Sequence, residues 1–93
     1  MAQQVIIVHG PANGGKSTWI ERNGFREVAA NDFNAIRVLK RIAVLFGSNG
    51  DGIACVECID PTSKKVIMLI EKLESVDILV TFRMVNGRED GKW

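Results

Sequence analysis

The chain is poor in cysteine and proline, has almost no net charge, and lacks long apolar runs. Two cysteines, Cys55 and Cys58, cannot build a disulfide framework, which excludes the disulfide-dense secreted scaffolds. Two prolines leave no Pro-rich linker and no collagen-like rod. Twelve Lys/Arg against eleven Asp/Glu give a net charge of +1, so bulk charge makes no case for nucleic acid or an anionic membrane. Apolar runs reach no further than stretches such as Val66–Ile70, far short of the ~20 residues of a membrane span. Residues 1–8 carry no basic segment followed by a long apolar core, so no secretory signal is expected. With free thiols suited to a reducing compartment, the expectation is a cytoplasmic protein with no membrane partner. The C-x-x-C spacing of Cys55 and Cys58 suggests zinc or redox chemistry, but one histidine and no second pair cannot complete a four-ligand zinc site. On a strand, side chains three apart also face opposite sides.

What is present is ordinary globular composition in 93 residues, enough for a single domain. So short a chain buries only about 60–65% of the surface its unfolded state exposes, and a bound ligand or a second copy would add to its stability. No repeat or low-complexity tract divides it, and glycine supplies the punctuation.

Val5–Val8 is a continuous β-branched run suited to a strand buried on both faces. A Gly-rich turn leads to a helix over Lys16–Asn23, closed by Gly24. Phe25–Ala30 alternates as a second strand, and Asn31 or Asp32 can cap a helix with Phe33, Ile36, Leu39, Ile42, Ala43 and Phe46 at helical spacing. The other face of that helix carries Asn34, Arg37, Lys40 and Arg41, a basic strip that reads as a solvated surface or as a track for phosphates. After the loop at 48–52, Ile53–Ile59 reads as a third strand. Asp60 as N-cap with Pro61 in the first turn then starts a helix whose buried face would hold Val66, Ile67, Ile70, Leu73 and Val76. The same stretch admits a rival, with a hairpin turn at 60–64 and Lys65–Ile70 as an antiparallel strand; Glu71–Glu74 favours the helix. Asp77–Val85 is a fourth strand, followed by a polar tail that ends at Trp93. The β-α-β-α-β-α-β order predicts an α/β fold, a mostly parallel sheet with helices on both faces.

Gly10-Pro11-Ala12-Asn13-Gly14-Gly15-Lys16-Ser17 matches G-x-x-x-x-G-K-[ST] at every fixed position. Average residue frequencies make a chance match on the order of one in a few hundred. A strand must deliver the chain to a tight loop whose amides point at phosphate oxygens, and glycines permit the torsions and the close approach. Lys16 would reach the β- and γ-phosphates, and the Ser17 hydroxyl would ligate Mg²⁺. The expected nucleotide contacts are therefore Gly10, Pro11, Ala12, Asn13, Gly14, Gly15, Lys16, Ser17 and Thr18, with ATP or GTP and Mg²⁺ as cofactors.

The loop followed by Ser17-Thr18-Trp19, then Asn23-Gly24-Phe25 and Asn31-Asp32, resembles the start of polynucleotide kinases and related small P-loop kinases. The resemblance is sharp over residues 5–37 and architectural over 53–85, roughly the first half of a kinase core. It implies a three-layer P-loop domain with strand order 2-3-1-4. It also implies that Asp32 acts as general base toward an acceptor hydroxyl, although an Asn-Asp pair also caps helices without chemistry. The family's acceptor-phosphate arginine commonly stands three residues after that aspartate; here that position is Ala35, and Arg37 is the first arginine that could serve. The resemblance places Asp60 near Mg²⁺, where it competes with a plain N-cap role. Arg83 and Arg88 stand as the candidates for the family's lid arginines. His9 reads as a packing residue, Trp19 as core or acceptor-pocket wall, and Trp93 as a terminal aromatic that could meet a partner.

Two functions compete at this stage, ahead of a weaker reading as a structural relic whose loop binds free phosphate or sulfate. One is a minimal kinase transferring the γ-phosphoryl group to a hydroxyl of a nucleotide, a polynucleotide end or a small molecule, with Lys16, Asp32 and Arg37 as catalytic residues and Ser17 and Asp60 on the metal. The other is a nucleotide-binding or regulatory protein, of the kind a phage encodes, that acts through a protein partner or as a homo-oligomer without turnover.

Overall fold

A β-branched run such as Val5–Val8 loses all contact with water only at the centre of a covered sheet, and all four residues are buried. The computed structural model describes residues 3–28, 34–49 and 52–86. Along them run β1 (Gln3–His9), α1 (Lys16–Arg22), β2 (Arg26–Glu27), α2 (Ala35–Asn49), β3 (Gly52–Cys58), α3 (Lys64–Ser75) and β4 (Leu79–Met84). The strands form one parallel sheet in the order β2-β3-β1-β4. Among the described residues no helix is long and apolar enough to cross a membrane.

Alternation along the strands sorts the core into two layers. Val5 and Ile7 of β1 and Ala54 and Val56 of β3 face α2 and α3, meeting Val38, Ile42 and Phe46 and then Val66, Leu69 and Leu73. Ile6, Val8 and Cys55 face the other way, against Ile20 of α1 and Val85. The sheet is thus covered by helices on both faces, as the element order predicts. Cys55 and Cys58 end on opposite faces and both thiols are free.

Each helix is bounded by local chemistry. α1 ends in paired bonds, from the Gly24 N–H to the Glu21 carbonyl at 3.0 Å and from the Phe25 N–H to the Ile20 carbonyl at 3.2 Å. Gly24 there takes φ +71°, the left-handed torsion that the terminator motif requires. α2 starts from Asn34, whose Oδ1 accepts the Arg37 N–H at 3.1 Å, and not from Asn31 or Asp32, which lie outside the described residues together with Phe33. The stripe of α2 that meets the sheet is Ala35, Val38, Ile42 and Phe46, while Ile36 is 58% exposed and Ala43 is also exposed. α3 is capped by Ser63, which accepts the Val66 N–H, and not by Asp60. Its buried face is Val66, Leu69 and Leu73, so Ile67 and Val76 turn outward. Residues 65–70 lie within this helix, which excludes the antiparallel-strand alternative.

The second strand is only Arg26–Glu27, shorter than the expected 25–30, although the Val28 N–H still reaches the Cys55 carbonyl at 2.8 Å. Residues 29–30 lie outside the described part. β4 begins at Leu79 and not at Asp77, because Asp77 takes φ +63° and turns the chain out of α3.

Candidate functional site

The parallel sheet aims every strand at one edge, and β1 ends there at His9, flanked by β3 and β4. The loop 10–15 follows directly and passes close to the end of β4. A Cβ on Gly10 would lie 2.1 Å from the Val85 carbonyl oxygen, so only glycine fits. The Gly14 N–H closes the turn on the Pro11 carbonyl at 3.1 Å, Asn13 takes φ +62°, and Gly15 takes φ +91° as the residue before α1. Gly15 supplies no side-chain cap to the first-turn amides of α1. Pro11, Ala12 and Asn13 form an exposed rim, with Thr18 exposed beyond it.

Lys16 is the buried charge of this region, at 7% exposure. Its Nζ donates to the Gly10 carbonyl at 2.8 Å and the Pro11 carbonyl at 2.9 Å, so the ammonium sits across the loop's mouth. Burying an ammonium is costly unless its donors are engaged, and two of the three are. The Ser17 Oγ donates to Glu57 Oε2 at 2.6 Å. Glu57 is in register with Val8, one residue before the end of β3, on the sheet face that α1 covers.

Glu27, on β2 in register with Cys55, faces the same side, and its carboxyl feels both Glu57 and Ser17. Partial desolvation together with the Glu57 carboxylate raises it to about 7, against a smaller opposing effect from Ser17. Burial also pushes Glu57 upward, but hydrogen bonds from Glu27 and Ser17 and the charge of Lys16 outweigh it and hold Glu57 below the usual carboxylate range. The two carboxylates are thus pushed apart, Glu27 upward and Glu57 downward.

The residues singled out in the sequence fall into three groups. Gly10 through Ser17 form one tight loop and helix start, with the Lys16 ammonium on the Gly10 and Pro11 carbonyls. Arg37 is exposed in the first turn of α2. Asp60 is also exposed; its Oδ1 accepts the Thr62 N–H at 2.9 Å and hydroxyl at 2.6 Å, which lowers its pKa. The carboxylate that meets Ser17 is thus Glu57, and Asp60 serves a turn. Asp32, Arg88 and Trp93 lie outside the described residues.

Sequence reasoning missed Glu27 and Glu57. Glu57 had a signal: it is the lone acid in the apolar strand 53–58, and order 2-3-1 sets the end of that strand beside the loop. Glu27 had none, since its approach depends on how β2 pairs.

The remaining candidates are packed. The His9 ring meets Phe82 edge-on at 6.3 Å, and Trp19 lies 5.9 Å from Phe25, with the Arg83 guanidinium 5.4 Å from its centroid. Burial raises Cys55 to about 11, and burial also raises Cys58 against the opposing charge of Lys16, so both stay as thiols. A pocket of about 330 Å³ lies at the opposite edge of the sheet, lined by Phe25, Arg26, Leu45, Phe46 and Ile53; apart from Arg26 it offers no charged group.

No protein-family model, curated protein or solved structure matches this chain.

Proposed function

We propose that this chain binds a nucleoside triphosphate with Mg²⁺ on the loop 10–17 and acts as a minimal phosphotransferase toward a hydroxyl acceptor. The observation that carries this reading is the buried Lys16 ammonium, held at the mouth of a glycine loop and next to the Ser17–Glu57 pair. In this reading Lys16 exchanges two carbonyl partners for phosphate oxygens, which are stronger acceptors for an ammonium. Loop amides and the uncapped start of α1 add donors toward the same anion.

The donor set suits Mg²⁺. The ion prefers hard oxygen ligands and takes one or two carboxylates plus substrate phosphates rather than an all-protein cage. Among the described residues no cluster of three or more His, Cys, Asp or Glu could hold a metal by itself. Ser17 and Glu57 would hold Mg²⁺, in place of the expected Ser17 and Asp60, and the ion would neutralise charge on the transferred group. Asp32 remains the proposed base for the acceptor hydroxyl, and Arg37 the proposed acceptor-phosphate contact. Asn86 Oδ1 is buried without a partner and follows Val85, which backs Gly10; a ligand N–H would satisfy it.

A second reading, nucleotide binding without turnover, is favoured by Arg83. Its guanidinium is stacked over Trp19, whereas phosphoryl transfer draws on arginines to neutralise charge.

Calorimetric titration of ATP·Mg²⁺ into wild type and Lys16→Ala tests binding. Binding in the wild type that disappears in the variant supports the reading. No binding by the folded wild type, or equal binding by both, overturns it. A γ-phosphate transfer assay with hydroxyl acceptors then separates the two readings, and full transfer by Asp32→Asn would remove Asp32 as base.

A further inference from the structure

The two edges of the sheet are built differently. β2 is two residues long, both charged and both exposed, and a short charged edge resists the addition of another strand. β4 runs for six residues without proline or glycine, with Leu79 54%, Phe82 53% and Met84 61% exposed. Its one charge, Arg83, lies over the Trp19 ring on the α1 side. Among the described residues no strand pairs with the outer side of β4.

The Val85 N–H donates to the His9 carbonyl, and main-chain groups in a parallel strand alternate sides residue by residue. Thr81 and Arg83 therefore address β1, while Val80, Phe82 and Met84 turn their N–H and C=O groups outward.

We propose that β4 docks antiparallel on β4 of a second copy of this chain, with the two-fold axis at Phe82. Antiparallel pairing must set outward-facing residues opposite one another, which leaves few registers. With the axis at Phe82, that residue meets Phe82 of the partner subunit, Val80 meets Met84 of the partner subunit, and Arg83 lies across from Thr81 of the partner subunit. Moving the axis toward the end of the strand brings Arg83 against its own copy, so like charges would meet. Moving it toward the start gives up one of the three outward pairs. The Phe82-centred register alone keeps all three without opposing charges. The blunted β2 edge prevents a head-to-tail β2–β4 contact, so association closes as a dimer and does not run on as a filament. A single six-residue pairing is small for an interface, so the dimer is weak and depends on concentration. The proposal is independent of the nucleotide reading, since it uses none of the loop residues.

Sedimentation equilibrium of the 93-residue chain over a wide concentration range tests it. The expected result is a monomer–dimer equilibrium that Phe82→Lys weakens by at least about tenfold, a loss of ~1.4 kcal/mol, with unchanged circular dichroism. Thr81→Glu, facing Arg83 of the partner subunit, is expected to tighten the dimer. Met84→Lys provides a second variant at an exposed site if Phe82→Lys does not fold. A chain that stays monomeric at every concentration overturns the proposal, as does a dimer indifferent to these substitutions. A monomer whose Phe82 and Met84 amides are protected from exchange also overturns it, and would mean that residues 87–93 cover the edge.

Discussion

Three side chains at the loop carry opposite demands on one small volume. Lys16 is buried and must still keep hydrogen-bond partners, which the Gly10 and Pro11 carbonyls supply. Glu27 and Glu57 bring two carboxylates together, and nature's usual resolution of such a pair is to hold one proton between them. Glu27, raised to about 7, keeps a proton in the folded state that the unfolded chain has already released. The stability this contributes is full below the unfolded value and is lost as pH rises through about 7. Partial exposure screens the effect to about 1 kcal/mol. Urea titrations at pH 5 and pH 8 should show the wild type losing that amount at the higher pH, and Glu27→Gln should flatten the difference. Gly10 offers a steric test: Gly10→Ala drives a Cβ into the Val85 carbonyl oxygen and should cost about 3 kcal/mol in the same titration.

At the scale of the element, caps fix where a helix begins, and packing against the sheet decides which stripe it buries. Each residue adds about 100° of rotation, so residues three or four apart share a face. Asn34 caps α2, and Asn34→Ala should cost about 1 kcal/mol in thermal or urea unfolding. α3, capped by Ser63, buries Leu69 against the sheet and exposes Ile67. Leu69→Ala should therefore lose about 3 kcal/mol, while Ile67→Ala should lose under about 1 kcal/mol. Equal losses at the two sites would mean that α3 is rotated from this arrangement.

For the molecule as a whole, the loop is clamped between β1 and the end of β4, so a ligand bound there would draw on the contacts that hold the fold. A nucleotide that binds only the folded state should raise stability by about 2.7 kcal/mol at a hundred times its dissociation constant. The melting temperature should climb with ATP·Mg²⁺ in the wild type and stay flat in Lys16→Ala. Two core layers joined through one central strand also explain why Val5–Val8 is wholly apolar: each residue serves one face or the other.

The linear chain by itself determined the loop and the alternation of strands and helices. Both rest on local demands: glycine torsions in a tight turn, β-branched residues in a covered strand, and a Gly24 terminator. The hydrophobic pattern of 66–70 was legible as apolar but not as helix or strand, since five apolar residues fit either. The strand order was expected only through resemblance, and it is the order that brings β3 beside the loop. Tertiary structure alone decided that Ser17 meets Glu57 and not Asp60, and that Glu27 joins them from a separate strand. It also decided which stripe of α2 faces the sheet. Pairing register and helix phase are set by contacts between residues far apart in the chain, and no local pattern encodes them.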